Sequence, residues 1–416
     1  MKGKISGFAV AVALATGAIT VAAAIPSAVA KEEKKAKAKA PKLSREVQSP
    51  LAEAQKLQQA GDLDGALAKI SEAEQAAKTP DDKFFVGQLR YNVGVAKKDN
   101  ALLETASKQM LDSGAAPEDM KGPLMKNLAA FALQRKDTAG ALAQYQKLAQ
   151  LYPNDPEITV GLAELYQQNR MTPQAIETLQ KAIDTKKAAG QPVEETWYKR
   201  MLAIAYDAKR MDLVVPASLS LVSAYPTPDN WRDSLVIFRD TQKVDDQTNL
   251  DLMRLQRATN SLKGESDFYE YADLAYRRGL FGESKAVLDK GVQTNQISLA
   301  KPTFKELNGL VNGKLTGDKA SLTKLDGQAR SAANGRLALG TADAWLGYGE
   351  YAKAADLYKV ALTKGGVEAD VVNTRLGIAL AQSGDKAGAK EAFAKVTTGP
   401  RGQVARYWAA YVDGAA

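Results

Sequence analysis

Self-similarity at a spacing of 34 residues constrains this chain more than any single motif. The stretch KNLAAFALQRKDTAGALAQYQKLAQLYPND (126–155) aligns with VGLAELYQQNRMTPQAIETLQKAIDTKKAA (160–189). Leu128, Ala129, Ala141, Tyr145 and Leu148 stand 34 residues before Leu162, Ala163, Ala175, Leu179 and Ala182. Each unit holds two amphipathic stretches with apolar residues at helical spacing, joined by a short polar turn. One helix pair cannot bury its apolar faces alone, so such units must stack and share a continuous core.

The same frame recurs along the chain. Gly61-Asp62 is followed by Ala66, Ile70 and Ala73, and Gly279 by Ser284, Leu288 and Gly291. Gly349-Glu350-Tyr351 precedes Ala354, Tyr358 and Ala361, while Leu376-Gly377 and Gly384-Asp385 precede Ala389, Phe393 and Val396. Leu202-Ala203, Tyr206, Val215 and Pro226 fit more loosely. In 81–118, 229–263 and 300–333 helix pairs are expected from periodicity more than from motif. Ala129, Ala163, Ala203, Ala272, Ala342 and Gly377 are the small residues expected where paired helices cross. Gly61, Gly279, Gly349 and Gly384 are expected to end first helices in a left-handed turn. Gly388 falls on an exposed second-helix position with no role. The last segment, 401–416, is expected to be one more helix capping the final repeat, with Trp408 and Tyr411 in its core.

These residues resemble the tetratricopeptide repeat family, with small residues at helix crossings, an aromatic in each helix and proline after the second. The resemblance covers most of 49–400 and implies an all-α fold, a right-handed α-solenoid of stacked antiparallel helix pairs. It also implies a protein or extended-peptide partner held in a concave groove lined by first helices. Carried over position by position, the candidate groove is Glu164, Gln167, Trp197, Arg200, Asp207, Arg232, Arg239, Tyr269, Asp273 and Arg277, with Asp240 and Tyr276 beside them. Arginine, aspartate and tyrosine suit a peptide through charge-assisted hydrogen bonds and aromatic anchors.

The first 30 residues have a charged start (Lys2, Lys4), an apolar run to Ile25, and Ala28-Val29-Ala30. This is the pattern of a cleavable export signal cut after Ala30, and a periplasmic or secreted product is expected. An uncleaved run would instead tether the protein, the only route to membrane contact. The chain has no cysteine, so neither disulfides nor a lipidated thiol are available. The formal net charge of +8 is concentrated at the N-terminus. Lys2 and Lys4 carry two of these charges, and KEEKKAKAKAPKLSRE (31–46), with seven bases against three acids, carries four. The remainder holds about +2, which is no footprint for a nucleic-acid backbone. Residues 31–48 are expected to be a basic, disordered linker.

The chain also lacks histidine, so the common zinc ligands, thiol nucleophiles and imidazole bases are absent together. No cofactor is expected. GDKAGAK (384–390) and GKLTGDKAS (313–321) both miss the spacing of a phosphate-binding P-loop. VDDQTNLD (244–251) lacks the central glycine and closing glutamate of an EF-hand and fits a turn with helix-capping aspartates. The leading expectation is a non-enzymatic interaction scaffold of the bacterial envelope. The alternatives are an enzyme using paired carboxylates on glycan or peptidoglycan, and a membrane-tethered assembly subunit.

Overall fold

The computed structural model describes residues 43–414; the segment expected to be an export signal and most of the basic segment lie outside the described residues. Among the described residues all regular structure is helical. The N-terminal half comprises α1 (Arg45–Gln59), α2 (Leu63–Ala76), α3 (Pro80–Lys97), α4 (Asn100–Asp112), α5 (Glu118–Gln134), α6 (Thr138–Leu151), α7 (Pro156–Gln168), α8 (Thr172–Ala188), α9 (Glu195–Asp207) and α10 (Met211–Ala224). The C-terminal half comprises α11 (Pro228–Thr241), α12 (Asp246–Ala258), α13 (Gly264–Arg277), α14 (Phe281–Gln293), α15 (Pro302–Ser331), α16 (Arg336–Gly347), α17 (Tyr351–Lys364), α18 (Ala369–Gln382), α19 (Lys386–Ala394) and α20 (Gly399–Gly414). No described helix is long and apolar enough to cross a membrane.

Consecutive helices pack as pairs, α1 with α2 through α13 with α14, then α16 with α17 and α18 with α19. The turn inside most pairs holds one left-handed residue; that between α11 and α12 does without. Gly61, Gly279, Gly349 and Gly384 supply it at φ of 83°, 74°, 77° and 89°. Lys98, Lys136, Arg170 and Lys209 occupy the equivalent place at 54–63°, while Asn260 is left-handed in the connection between α12 and α13. The stacking of the pairs therefore imposes the conformation even where the side chain disfavours it.

Second helices often begin with an aspartate cap. Asp62, Asp137 and Asp385 each accept the N–H of the residue three positions on, at 2.8, 2.7 and 2.9 Å. That residue is glycine each time, and a Cβ there would run into the capping carboxylate, so half-buried Gly388 has a function after all: it lets the cap close over the first turn. Gly377 is where helices touch, since a Cβ there would run into the Phe393 ring. In VDDQTNLD it is Asp245 that caps, accepting from the Gln247 and Thr248 amides at 2.8 and 3.0 Å.

The chain departs from the expected layout in several places. α1 begins at Arg45, inside the segment expected to be linker, because Asp82 holds its start. The Asp82 carboxylate accepts the Ser44 N–H (2.8 Å), the Ser44 hydroxyl (2.7 Å) and the Thr79 N–H (3.0 Å). Residues 300–333 form one 30-residue helix rather than a pair, about 45 Å long. NGKLTG offers no proline and no left-handed residue, so the helical ladder runs straight through it. Phe304, Leu307 and Val311 of α15 join the core of α12–α14, and Leu322 and Ala329 join that of α16–α20. Ala203 is exposed and Ala205 is buried, so this repeat is displaced in register from the motif alignment.

The largest departure is at the C-terminus. α20 packs on α18 and α19, as a cap would, and also on α10 and α12 near the middle of the chain. Tyr407 bonds Ser218 and stacks edge-on against Phe238 at 5.6 Å, and Tyr411 meets Trp231 at 6.5 Å. The C-terminal helices therefore close a loop of structure back onto α10–α12.

Candidate functional site

The residues expected to line a groove fall on α7, α9, α11 and α13, and the structure shows how these first helices are joined. Arg200 of α9 pairs with Glu164 of α7. Asn230 of α11 donates to Glu195 of α9 at 2.8 Å. Arg232 pairs with Asp267, and Arg239 with Glu270 at 3.2 Å, linking α11 to α13. Arg277 pairs with Asp273 along α13 at 2.8 Å. The arginines are thus engaged within the chain, mostly as rungs between neighbouring first helices. Such part-exposed pairs contribute little stability individually but hold the register of the face.

The remaining positions differ. Trp197 is half-buried, with the Lys186 ammonium 4.8 Å from its ring. Tyr276 is half-buried against Phe281. Gln167, Asp207 and Asp240 are exposed. Tyr269 is 36% exposed, its ring edge-on to Phe304, and Tyr206, which the groove assignment omitted, is 39% exposed. The face therefore presents tyrosines among arginines already paired within the chain, beside exposed Asp207 and Asp240.

Sequence reasoning missed a buried charge cluster behind α12. Asp251 is fully buried and accepts from Arg254 (2.7 Å), Arg375 (3.3 Å) and Arg401 (2.6 Å). Arg254 also grips Glu283 with two bonds, at 2.8 and 2.6 Å, and the Tyr271 hydroxyl donates to the same carboxylate at 2.6 Å. Arg375 donates to Asp343 at 2.6 Å, which the Tyr358 hydroxyl also reaches at 2.7 Å. The cluster ties α12, α13, α14, α16, α17, α18 and α20 together. One signal for it was present: residues 371–380, VVNTRLGIAL, show no polar stripe, as expected of a helix covered all round, and every one of them is buried.

Burial pushes the Glu283 carboxyl up, but the charge and hydrogen bonds of Arg254, aided by Arg257 and Tyr271, outweigh it and hold the group at about 2, against an ordinary 4.5. The folded state therefore binds this proton more weakly than the unfolded chain. Its stabilisation, on the order of 3 kcal/mol, is complete above pH ~4.5 and is lost as pH falls toward 2. Urea midpoints measured from pH 6 down to 3 are expected to drop along this limb. Glu283→Gln should be less stable at neutral pH and show a flatter acid limb; an unchanged slope would refute the assignment.

Beside this cluster lies a cavity of about 1270 Å³, walled by α12, α14, α15, the α16–α17 turn, α18 and α20. It exists because α15 and the returning C-terminal helices enclose the second-helix side of α12 and α14.

Residues 132–189 match the family model described as tetratricopeptide repeat, a span covering α6 to α8. No curated protein sequence matches the chain. Among solved structures, the chain is similar to YrrB, described as a tetratricopeptide repeat protein with an unusual peptide-binding site. Identity is 15%, the match covers 42% of this chain and 85% of that one, and the TM-score is 0.29. A tetratricopeptide repeat protein from Parabacteroides merdae is 14% identical over 81% of this chain and all of that one, also with a TM-score of 0.29. The Naa15/Naa10 complex bound to HypK matches at 14% identity, covering 85% of this chain and 64% of that one, with the same TM-score. The repeat motif and the paired-helix packing agree with the matched segment: residues 132–189 match the tetratricopeptide repeat, and the described residues form an all-α solenoid of stacked helix pairs.

Proposed function

We propose that the protein is an exported, non-enzymatic scaffold that holds a protein or extended peptide against the first-helix face of α7–α13. The observation that carries this reading is the pair of solvent-exposed tyrosines, Tyr206 and Tyr269, on a face whose arginines are already held as inter-helix rungs. Rigid aromatic anchors on a pre-organised surface lose little entropy on binding. Export rests on the N-terminal pattern of residues 1–30. An enzyme would be favoured by carboxyls of raised pKa sharing a cleft. Burial does push Asp233 and Asp343 up, but Asp343 is locked to Arg375 and Tyr358, and neither lines a described cavity.

A photo-crosslinking residue placed at 206 or 269 is expected to capture the same partner from the envelope fraction, while one at exposed Lys359 captures none. Equal capture at all three positions, or none at 206 and 269, would overturn the face assignment. N-terminal sequencing of the exported protein should begin at Lys31; retention of the apolar run would replace export with a tether.

A further inference from the structure

The cavity behind α12 has a charge imbalance that the first-helix face lacks. Five cations line it, Arg254, Arg257, Lys285, Lys290 and Lys319, against one acid, Asp289. Arg254 is held by Asp251 and Glu283, and Lys285 pairs with Asp289. Three cations remain. The Arg257 guanidinium lies over the Tyr271 ring at 5.9 Å, and no described residue accepts a hydrogen bond from it. Lys290 has no carboxylate partner among the described residues, and Lys319 rests over Tyr348 at 5.7 Å. Arg257, Asn260 and Lys290 also line an adjoining cavity of about 120 Å³, which places these three donors together where the two spaces meet.

We propose that this cavity is a binding site for an acidic peptide segment, with carboxylates seated on Arg257, Lys290 and Lys319. An unpaired guanidinium and two ammonium groups in a partly enclosed space attract carboxylates more strongly than the same groups in open solvent. The volume exceeds the roughly 300–1,000 Å³ usual for small-ligand pockets and suits several residues of chain. Asn260, Gln293 and Gln382 offer both donors and acceptors, which a peptide backbone requires. Tyr351 and Tyr411 supply flat apolar walls for side-chain stems. The chain's own N-terminal segment is excluded as occupant by its net positive charge. The site lies on the second-helix side and is independent of the first-helix face.

Calorimetric titration of the full mature protein with capped hexaglutamate tests this. Binding is expected, weakening as salt rises from 50 to 200 mM, while capped hexaglutamine gives no heat. Arg257→Gln with Lys290→Gln should weaken hexaglutamate at least tenfold. Because Arg257 lies near the buried cluster, Lys319→Gln, at an exposed position of α15 away from its core residues, serves as a second variant and should weaken binding about threefold. Tyr206→Ser with Tyr269→Ser should leave it unchanged, which separates this site from the proposed partner face. Equal affinity of wild type and the charge variants overturns the site. Binding of oligogalacturonate or pyrophosphate in place of hexaglutamate overturns the peptide assignment.

Discussion

Asp251→Ala is expected to destabilise the C-terminal half by about 3–5 kcal/mol, because it removes one partner from a buried ionic cluster and leaves the others charged. The carboxylate is the shared acceptor of Arg254, Arg375 and Arg401. Arg254 keeps Glu283 and Arg375 keeps Asp343, but Arg401 keeps only Asp245, at 3.8 Å. An uncompensated guanidinium at that depth cannot be relieved by deprotonation, since arginine stays charged. Asp251→Asn preserves the volume and one acceptor, so its loss relative to wild type isolates the charge. Adding Arg401→Met to Asp251→Ala should recover part of the deficit, because the double variant buries one fewer orphaned cation. Chemical unfolding followed by circular dichroism measures all three. A deficit below 1 kcal/mol for Asp251→Ala would show the cluster to be hydrated rather than buried.

Trp408→Ala is expected to cost about 3–5 kcal/mol, the usual range for deleting a large buried aromatic. Trp408 is fully buried, its indole N–H donates to the Asp251 carbonyl at 3.0 Å, and its ring stacks on Phe393 at 6.2 Å. Truncation therefore opens a void at the point where α20 rests on α12 and removes the indole donor that the Asp251 carbonyl accepts in addition to its helical partner. Trp408→Phe should cost less, since it keeps most of the packing and loses the hydrogen bond. The effect should be regional. The helices α1–α9 are built around separate apolar clusters, and α18 and α20 share theirs with α10–α12. Hydrogen exchange should accelerate in α18 and α20 while α1–α6 keep their protection. Uniform acceleration would mean that the C-terminal closure supports the whole solenoid. Trp408→Ala and Asp251→Ala should not add, because the two residues touch.

Much of the architecture was legible because a repeat advertises its nearest-neighbour contacts. Gly377 against Phe393, the left-handed Gly61, Gly279, Gly349 and Gly384, and the caps at Asp62, Asp137 and Asp385 are all local relations within a unit. Where a unit lacked those marks, periodicity found the pairs α3–α4 and α11–α12 but misjudged 300–333, which carries apolar residues at helical spacing with nothing to distinguish one long helix from two short ones. The arginines of the candidate groove fall on α9, α11 and α13, and their engagement with Glu164, Asp267 and Glu270 depends on side-chain reach between repeats that the motif does not encode.

The sequence by itself determined an all-α chain of stacked helix pairs, since each pair's apolar faces repeat at a fixed spacing and can be buried only by the next pair. The tertiary structure alone decided that α20 returns to α10 and α12, that Asp251, Arg375 and Arg401 meet, and that a basic cavity forms between α15 and the second helices. These contacts join positions more than a hundred residues apart, outside any period. Whether a charged residue is a solvated surface group or a buried hub depends on what folds over it, and that is settled only when the C-terminal helices return to the middle of the array.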